Sequence, residues 1–428
     1  MVWIIIIIAL AITMGSGARL GAAVGLTGLI ILHFQAGGLT VLAVPAVWNV
    51  FSDYILAAVP MFVYLGEILL RGGVSDRLYS ALSPLFYRLP GRLLQTNVWV
   101  CMLFGAISGS SSATAAAVGA VAYPELGRRG YNKPRVLGSL AGAGVLGLMV
   151  PPSLSLLIYG AMMDVSVGKL FLAGILPALM ITAMFSFYVG VFAVLHPETV
   201  PAETSKPSWG EVFRSLVDIW PLPVLIFAVL GTIYGGLATV TEAAGLGVVV
   251  AIIMGFTWGT LTIGKLWEAI ISGSRIVAAI VFVILGTLIL AQAVANQGLP
   301  RQVFEMVSSA GLSKYEVMVV LTLIYFLLGC FFDGLSLMIM TLSIVFPLMI
   351  SLGFDPVWLG VIITLLIEIG AITPPVGVNL YVLLAISRDE VTLPEAARAT
   401  IPYWSILILA IVILTAFPEI ALYLPKFI

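Results

Sequence analysis

The chain of 428 residues is 61% hydrophobic and only 9% charged, with a formal net charge of −1. A water-facing shell needs far more charged side chains than this, so a soluble globular domain is excluded. The near-neutral balance also leaves no basic surface for nucleic acid. What remains is an all-α integral membrane protein in a lipid bilayer: at roughly 20 apolar residues per helix, this length allows about ten crossings of a ~30 Å hydrocarbon core.

The N-terminal run from Val2 to Ile12 lacks a basic leader and a small-residue cleavage site, and Arg19 follows it, so it reads as a retained first helix. Crossings are expected at 2–16, 20–36, 53–71, 136–160 and 170–195, then at 220–237, 240–260, 275–296, 357–387 and 402–424. Two further apolar stretches are interrupted at mid-length. These are 94–126, broken at Ser108-Gly109-Ser110-Ser111-Ser112, and 317–350, broken at Cys330-Phe331-Phe332-Asp333-Gly334. The segments 75–90, 262–274 and 392–401 are short and mixed in polarity, and read as interfacial amphipathic helices, with plain connecting loops as the alternative. The longest polar stretch, His196 to Asp218, reads as a connector. Cys101 and Cys330 sit in apolar runs as small buried residues, and His33 and His196 form no cluster.

The chain repeats itself. Pro151-Pro152 returns 223 residues later as Pro374-Pro375, and the same offset carries Gly147 onto Gly370, Pro124 onto Pro347 and Gly130-Tyr131 onto Gly353-Phe354. Upstream, Leu65 to Gly73 resembles Leu290 to Gly298 at an offset of 225. Such a series in register points to two homologous halves, 1–200 and 220–428, joined by a cytoplasmic connector at 201–219. Positive charge sets their orientation. Arg71, Arg77, Arg88 and Arg92 precede 94–126, and Arg128, Arg129, Lys133 and Arg135 follow it, so both of its ends are expected on the cytoplasmic side. It is then a re-entrant hairpin. The flanks of 317–350 carry only Arg301 and Lys314 nearby, which puts that hairpin on the opposite face. Five crossings per half make the second half inverted, with both termini periplasmic. The expectation is two inverted repeats, two hairpins and two broken helices, at 136–160 and 357–387, with a site near the midplane as in secondary transporters.

Irregular backbone at membrane depth survives only where protein or a wet cavity covers it. A proline at Pro152 or Pro375 removes an amide donor and frees the carbonyl four residues earlier. Freed carbonyls and hydroxyls suit an alkali cation, whereas amides at half-helix N-termini suit an anion. Taken singly, a proline pair is more often a kink, and a Ser/Gly/Ala run more often a close-packed helix face. Their paired recurrence favours two cation cages, each a hairpin tip facing a broken helix. Ionisable groups at membrane depth are few: Glu67, Glu242, Asp333 and Glu368. Asp333 occupies a tip and either ligates a cation or caps the second arm. Glu242 reads as a helix-start residue, and Glu67 and Glu368 as partners of neighbouring side chains.

Several motifs together resemble one family. Gly105-Ala106-Ile107-Ser108-Gly109-Ser110-Ser111-Ser112-Ala113-Thr114-Ala115, Tyr123-Pro124-Glu125, Arg129-Gly130-Tyr131, Pro151-Pro152-Ser153, Ile158-Tyr159-Gly160, Thr241-Glu242-Ala243-Ala244 and Thr373-Pro374-Pro375-Val376-Gly377-Val378-Asn379-Leu380 resemble the large membrane subunit of TRAP transporters. The resemblance implies a bacterial inner-membrane protein that works with a smaller four-helix subunit and a periplasmic substrate-binding protein. It also implies import of an organic anion coupled to Na+ and an elevator-type motion. By the same resemblance, Ser108, Ser110, Gly147, Val150 and Pro152 form a first sodium site and Asp333, Gly370, Thr373 and Pro375 a second, with Ser111, Ser112, Thr114 and Asn379 near the substrate. At the second site Gly334-Leu335-Ser336 only partly follows the family's usual pattern, and Glu368-Ile369 departs from its asparagine-rich version. The nearest alternative is a stand-alone sodium-coupled anion transporter of the same architecture. An intramembrane enzyme lacks a base beside the serine run and a second aspartate beside Asp333, and a passive channel needs no such cages.

Overall fold

A computed structural model describes residues 2–201 and 207–428, and every regular element among them is helical. Where the surroundings offer no hydrogen-bonding partners, a helix satisfies its backbone within the segment, which is why so apolar a chain takes this form.

Two short apolar helices open the chain, α1 (Val2–Gly15) and α2 (Leu20–Phe34). Ile5, Ile6 and Leu10 pack on the cluster that holds Ile31 and Leu32. At 1.5 Å per residue each helix is about 22 Å long, short of a ~30 Å hydrocarbon core. The crossings expected at 2–16 and 20–36 are therefore not of spanning length. Next comes α3 (Ala43–Ser52), absent from the sequence reading because Gly37, Gly38 and Pro45 interrupt its apolar pattern. Helices α4 (Ala58–Arg71) and α5 (Val74–Phe86) meet at a 67° bend, where Gly73 takes the left-handed backbone (φ 70°).

The first hairpin is α6 (Leu93–Ser108) and α7 (Ser111–Arg128). Its outer ends meet, since Tyr87 and Leu93 line the same polar cavity of about 700 Å3 as Arg128 and Arg129. A broken helix follows as α8 (Lys133–Gly144), the single turn α9 (Leu146–Met149) and α10 (Leu154–Met163), and then α11 (Val167–Leu195). Of the connector expected at 201–219, residues 202–206 lie outside the described residues. The remainder is no mere connector. Ser208 and Glu211 form a capping box that starts α12 (Trp209–Asp218), and Arg88 stacks over Trp209 at 3.8 Å. That helix runs on through α13 (Pro221–Ile226), a π-helical turn at Phe227–Gly231 and α14 (Thr232–Tyr234) as one stretch of 26 residues.

After α15 (Val240–Thr257), whose N-terminus carries the Thr239–Glu242 capping box, comes α16 (Ile263–Asn296), 34 residues without a break. The separate interfacial helix expected at 262–274 is its first turns, because Thr262 caps the start and no proline interrupts. Then come α17 (Leu299–Ser309) and the second hairpin, α18 (Lys314–Gly329) with α19 (Gly334–Ser351). Its arms are joined by paired hydroxyls of Tyr325 and Thr341. The second broken helix is α20 (Pro356–Ala371) with α21 (Val378–Ser387), followed by α22 (Leu393–Ala416), which absorbs the segment 392–401, and α23 (Glu419–Leu422). By length and apolarity seven helical stretches among the described residues can cross a membrane, or eight if α4 and α5 count as one bent span. Of the ten expected crossings, those at 2–16, 20–36 and 357–387 fall outside that length test and that at 53–71 meets it only as the bent α4–α5 pair, while one of the seven, α19, is a hairpin arm.

Element order recurs: α5 to α10 is followed later by α17 to α21 in the same sequence, with α7 and α19 both 18 residues long and starting 223 residues apart. The two broken helices run in opposite senses. Lys133, at the start of α8, pairs at 2.9 Å with Glu390 just beyond α21, while Tyr159 in α10 donates to the Pro356 carbonyl at the start of α20 (2.7 Å). Lys133 and the Tyr123 hydroxyl hold the exposed Glu390 carboxyl below the usual carboxylate range.

Glycines set the closest helix approaches, as in membrane bundles generally. A Cβ on Gly142 of α8 would lie 2.2 Å from the Tyr403 ring of α22. Gly142→Ala is therefore expected to lower the stability of the purified protein by about 1–3 kcal/mol through overpacking, whereas Gly245→Ala, with nothing within 4 Å, leaves it unchanged or higher. Thermal unfolding in detergent checks both.

Candidate functional site

The first hairpin tip is tight because Gly109 takes φ 60°, letting α6 end and α7 begin two residues later. Ser110 caps α7, its hydroxyl accepting from the Ala113 N–H at 3.4 Å, and sits 3.4 Å from the Ser112 hydroxyl. Ser108 turns inward: its hydroxyl meets that of Thr114 at 2.7 Å and donates to the Ser110 carbonyl at 3.3 Å. Gly147 closes this group from the broken helix. A Cβ there would lie 2.5 Å from both the Ser110 carbonyl oxygen and the Thr114 hydroxyl. Pro152 also reaches the tip, since a Cβ on Gly109 would be 2.8 Å from its carbonyl oxygen. Ser108, Ser110, Gly147 and Pro152 thus come together as expected. Val150 adjoins them in the break, its N–H closing on the Leu146 carbonyl at 3.0 Å. Thr114, expected beside the substrate, is fully buried and faces this oxygen group instead.

One expectation is corrected here. The Leu148 carbonyl, four residues before Pro152, is not left free. The Ser153 hydroxyl donates to it, and so does that of Ser155 at 3.2 Å; Ser155 also meets Thr364 of α20 at 3.1 Å. Hydroxyls on the far side of the break take up the orphaned acceptor, a relation that proline spacing alone does not reveal.

The second tip is built differently. Asp333 is exposed and caps α19, accepting from the Ser336 N–H at 3.3 Å and the Ser336 hydroxyl at 3.2 Å. Thr373 donates to the Ile369 carbonyl at 3.0 Å, and its hydroxyl lies 3.6 Å from the Cys330 sulfur. Cys330, read from sequence as a plain buried residue, therefore belongs to this tip. Gly370 meets Gly329 backbone to backbone: a Cβ on Gly370 would lie 2.5 Å from the Gly329 Cα. The residue after Pro375, Val376, donates its N–H to the Cys330 carbonyl at 3.1 Å. The first half has its counterpart in the Leu154 N–H donating to the Gly109 carbonyl at 3.2 Å.

The two halves converge around α7 and α21. Gly119 of α7 lies against Leu383 of α21, and one turn on, the Tyr123 hydroxyl donates to Glu390 beyond α21 at 3.1 Å. The helices therefore run parallel, and their N-terminal ends, carrying Ser111, Ser112 and Asn379, lie at the same end. Asn379 is fully buried and neither of its amide atoms has a hydrogen-bond partner. Of the acids at depth, Glu67 pairs with Arg71 at 3.5 Å, and Glu242 serves the Thr239 cap, as expected. Glu368 is not paired in that way. Among the described residues no group of three or more His, Cys, Asp and Glu side chains is placed to hold a metal ion.

Comparison with known proteins gives concordant results. Residues 1–420 match the family described as the tripartite ATP-independent periplasmic transporter, DctM component. The chain is 32% identical over 406 residues to the C4-dicarboxylate TRAP transporter large permease protein DctM of Pseudomonas aeruginosa, covering 94% of this chain and 93% of that one. It is 33% identical over 375 residues to the ectoine/5-hydroxyectoine TRAP transporter large permease protein UehC of Ruegeria pomeroyi, covering 86% and 85%. Among solved structures, the YdaH transporter of Alcanivorax borkumensis shares the fold, with a TM-score of 0.58, 17% identity and 91% of each chain covered.

The packing at Gly147 generates a test. Gly147→Ala is expected to push the Ser110 carbonyl and Thr114 hydroxyl apart and lower stability by about 1–3 kcal/mol. Ser153→Ala, which removes both a cap and a partner of the Leu148 carbonyl, is expected to cost about 1–2 kcal/mol. Unfolding midpoints of the two purified variants check this.

Proposed function

The chain belongs to the DctM component family of tripartite ATP-independent periplasmic transporters, and from that membership we propose that it is the large transmembrane subunit of a sodium-coupled importer of a small organic anion. In this reading a periplasmic binding protein delivers a carboxylate or sulfonate, a small four-helix membrane subunit completes the complex, and both termini face the periplasm of a bacterial inner membrane. The relatives named for C4-dicarboxylate and for ectoine support a carboxylate-bearing solute.

One observation carries the sodium coupling. At the first tip the Ser108 and Thr114 hydroxyls and the Ser110 carbonyl converge with Gly147 beneath them, a set of hard oxygens with no cationic side chain. Such donors fit an alkali cation. Ser108, Ser110, Gly147, Val150 and Pro152 would hold one ion and Asp333, Gly370, Thr373 and Pro375 a second, which supplies positive charge beside the anion. The residues do the rest. The N-terminal amides of α7 and α21 face a negative group, and Ser111, Ser112 and Asn379 offer it hydrogen bonds. Asp333 spans both roles proposed for it, since a capping carboxylate keeps lone pairs for a cation.

The inverted repeats are supported by the opposed senses of the two broken helices. An elevator motion is supported by the division of packing: α7, α8, α21 and α22 contact one another across the two halves, while α2, α4, α15 and α16 pack mainly on one another, with α4 also touching the first hairpin and α16 the second.

The test is uptake into vesicles containing this chain, its small subunit and the binding protein. Replacing sodium with choline is expected to abolish uptake, and Ser108→Ala or Asp333→Asn to raise the half-saturating sodium concentration about tenfold, equivalent to about 1.4 kcal/mol of ligation. Uptake indifferent to choline overturns sodium coupling, and robust uptake by this chain alone favours the stand-alone transporter.

A further inference from the structure

A crevice opens between α8, α11 and α22, at the end of the bundle where α8 and α22 begin and α11 finishes. Close glycine contacts set its shape. A Cβ on Gly138 would lie 2.6 Å from the Ala399 carbonyl oxygen, and one on Gly142 2.2 Å from the Tyr403 ring, so α8 and α22 run parallel in tight register. Arg135, in the first turn of α8, and Arg398, in the second turn of α22, thereby line one cavity of about 110 Å3, together with Tyr188, Phe192 and Tyr403. Among the described residues neither guanidinium is in an ion pair. Glu395, one turn before Arg398, is engaged by the Thr392 N–H and hydroxyl at 2.9 and 2.7 Å. The first turn of α8 holds no acid at all.

The side chains are held ready for an anion. The Arg135 guanidinium lies 3.9 Å over the Phe192 ring, which fixes its plane and leaves its N–H edges free. Tyr403 is 4% exposed and packs edge-on against Phe185 and Tyr188 at 5.2 and 5.4 Å, yet its hydroxyl has no hydrogen-bond partner among the described residues. Two uncompensated cations and a buried phenol around so small a space select a compact group with several negative oxygens, which guanidinium forks bind in pairs. Beside the crevice, Phe187 and Val191 of α11 and Ile401 and Leu409 of α22 are exposed and apolar. A phosphate arriving from the bilayer brings acyl chains that cover such a surface, whereas a soluble anion leaves it bare. We propose that the crevice seats the headgroup phosphate of an anionic phospholipid, held by Arg135, Arg398 and the Tyr403 hydroxyl, with its chains along α11 and α22. Gly147 of the first cage is 12 residues beyond Arg135, about 18 Å along the helix, so the two sites are separate. The proposal does not depend on sodium coupling.

The test follows thermal unfolding of the purified, delipidated chain in detergent, titrated at constant ionic strength with phosphatidylglycerol, phosphatidylcholine or inorganic phosphate. Phosphatidylglycerol is expected to stabilise the wild-type protein at far lower concentration than the other two. Arg398→Gln, at an exposed position where the fold does not depend on the side chain, is expected to raise the half-effective phosphatidylglycerol concentration about tenfold. Arg135→Gln is expected to do the same, and Arg135→Lys, which keeps the charge and loses the fork, to shift it less. Tyr403→Phe, which keeps the ring in place and removes only the hydroxyl, gives a smaller shift of the same sign. An unchanged phosphatidylglycerol titration in both Arg398→Gln and Arg135→Gln overturns the site. Equal stabilisation by phosphatidylcholine, or none by any of the three, overturns it as well. Inorganic phosphate as effective as phosphatidylglycerol overturns the lipid assignment and makes the crevice a site for a soluble anion.

Discussion

A chain that breaks its helices at membrane depth must find partners there for the backbone it releases, and this structure finds them in the hairpin tips. The Leu154 N–H donates to the Gly109 carbonyl in the first half, and the Val376 N–H donates to the Cys330 carbonyl in the second. Each bond joins the turn of a hairpin to the residues just after a proline pair. Much of the neighbouring sequence serves to make this approach possible. Gly105 meets Gly147 and Gly329 meets Gly370 with no side chain between them, so hairpin arm and broken helix come close enough for tip and break to bond. Without that contact the tip carbonyls and the post-proline amides would be buried and unpaired, at a cost of several kcal/mol each in hydrocarbon.

The same accounting decides which oxygens remain for chemistry. Ser153 and Ser155 spend their hydroxyls on the Leu148 carbonyl, which makes that part of the break structural. Ser108, Thr114 and the Ser110 carbonyl are turned toward one another around Gly147, and there the oxygens crowd without a positive charge among them. The second tip trades hydroxyls for a carboxylate and a thiol, Asp333 and Cys330, and is the more exposed of the two. The halves are thus alike in backbone and different in chemistry, as a duplicated scaffold with divergent side chains would be.

How much of this was legible in the sequence follows from the range of each interaction. The proline pairs, the Ser-rich tip and the 223-residue offset are local or periodic signals, and they located both hairpins and both broken helices. The full length of α16 is not legible because Lys265 and Glu268 make 262–274 read as an interfacial segment, although charged residues do not stop a helix that lacks a proline or a C-terminal glycine. Helix α3 was lost between Gly38 and Pro45, where breaker residues outweigh the apolar content. The partners of Leu148 and the place of Cys330 were not legible, since each depends on residues brought together only by the fold. Ser155 and Thr364 are separated by 209 positions, and no local pattern marks such a pair.

The cross-half ties have a mechanical meaning. Lys133 to Glu390, Tyr123 to Glu390, Tyr159 to Pro356 and Ser155 to Thr364 bind the two broken helices and the first hairpin into one block. Whatever displaces part of that block along the membrane normal displaces Glu368 with it, and Asp333 rides on the hairpin packed against α20. A transmembrane voltage then works on the summed charge of the block, at about 2.3 kcal/mol per elementary charge per 100 mV. How far a displacement of the block feels the electric field is therefore set by the net charge that the block carries.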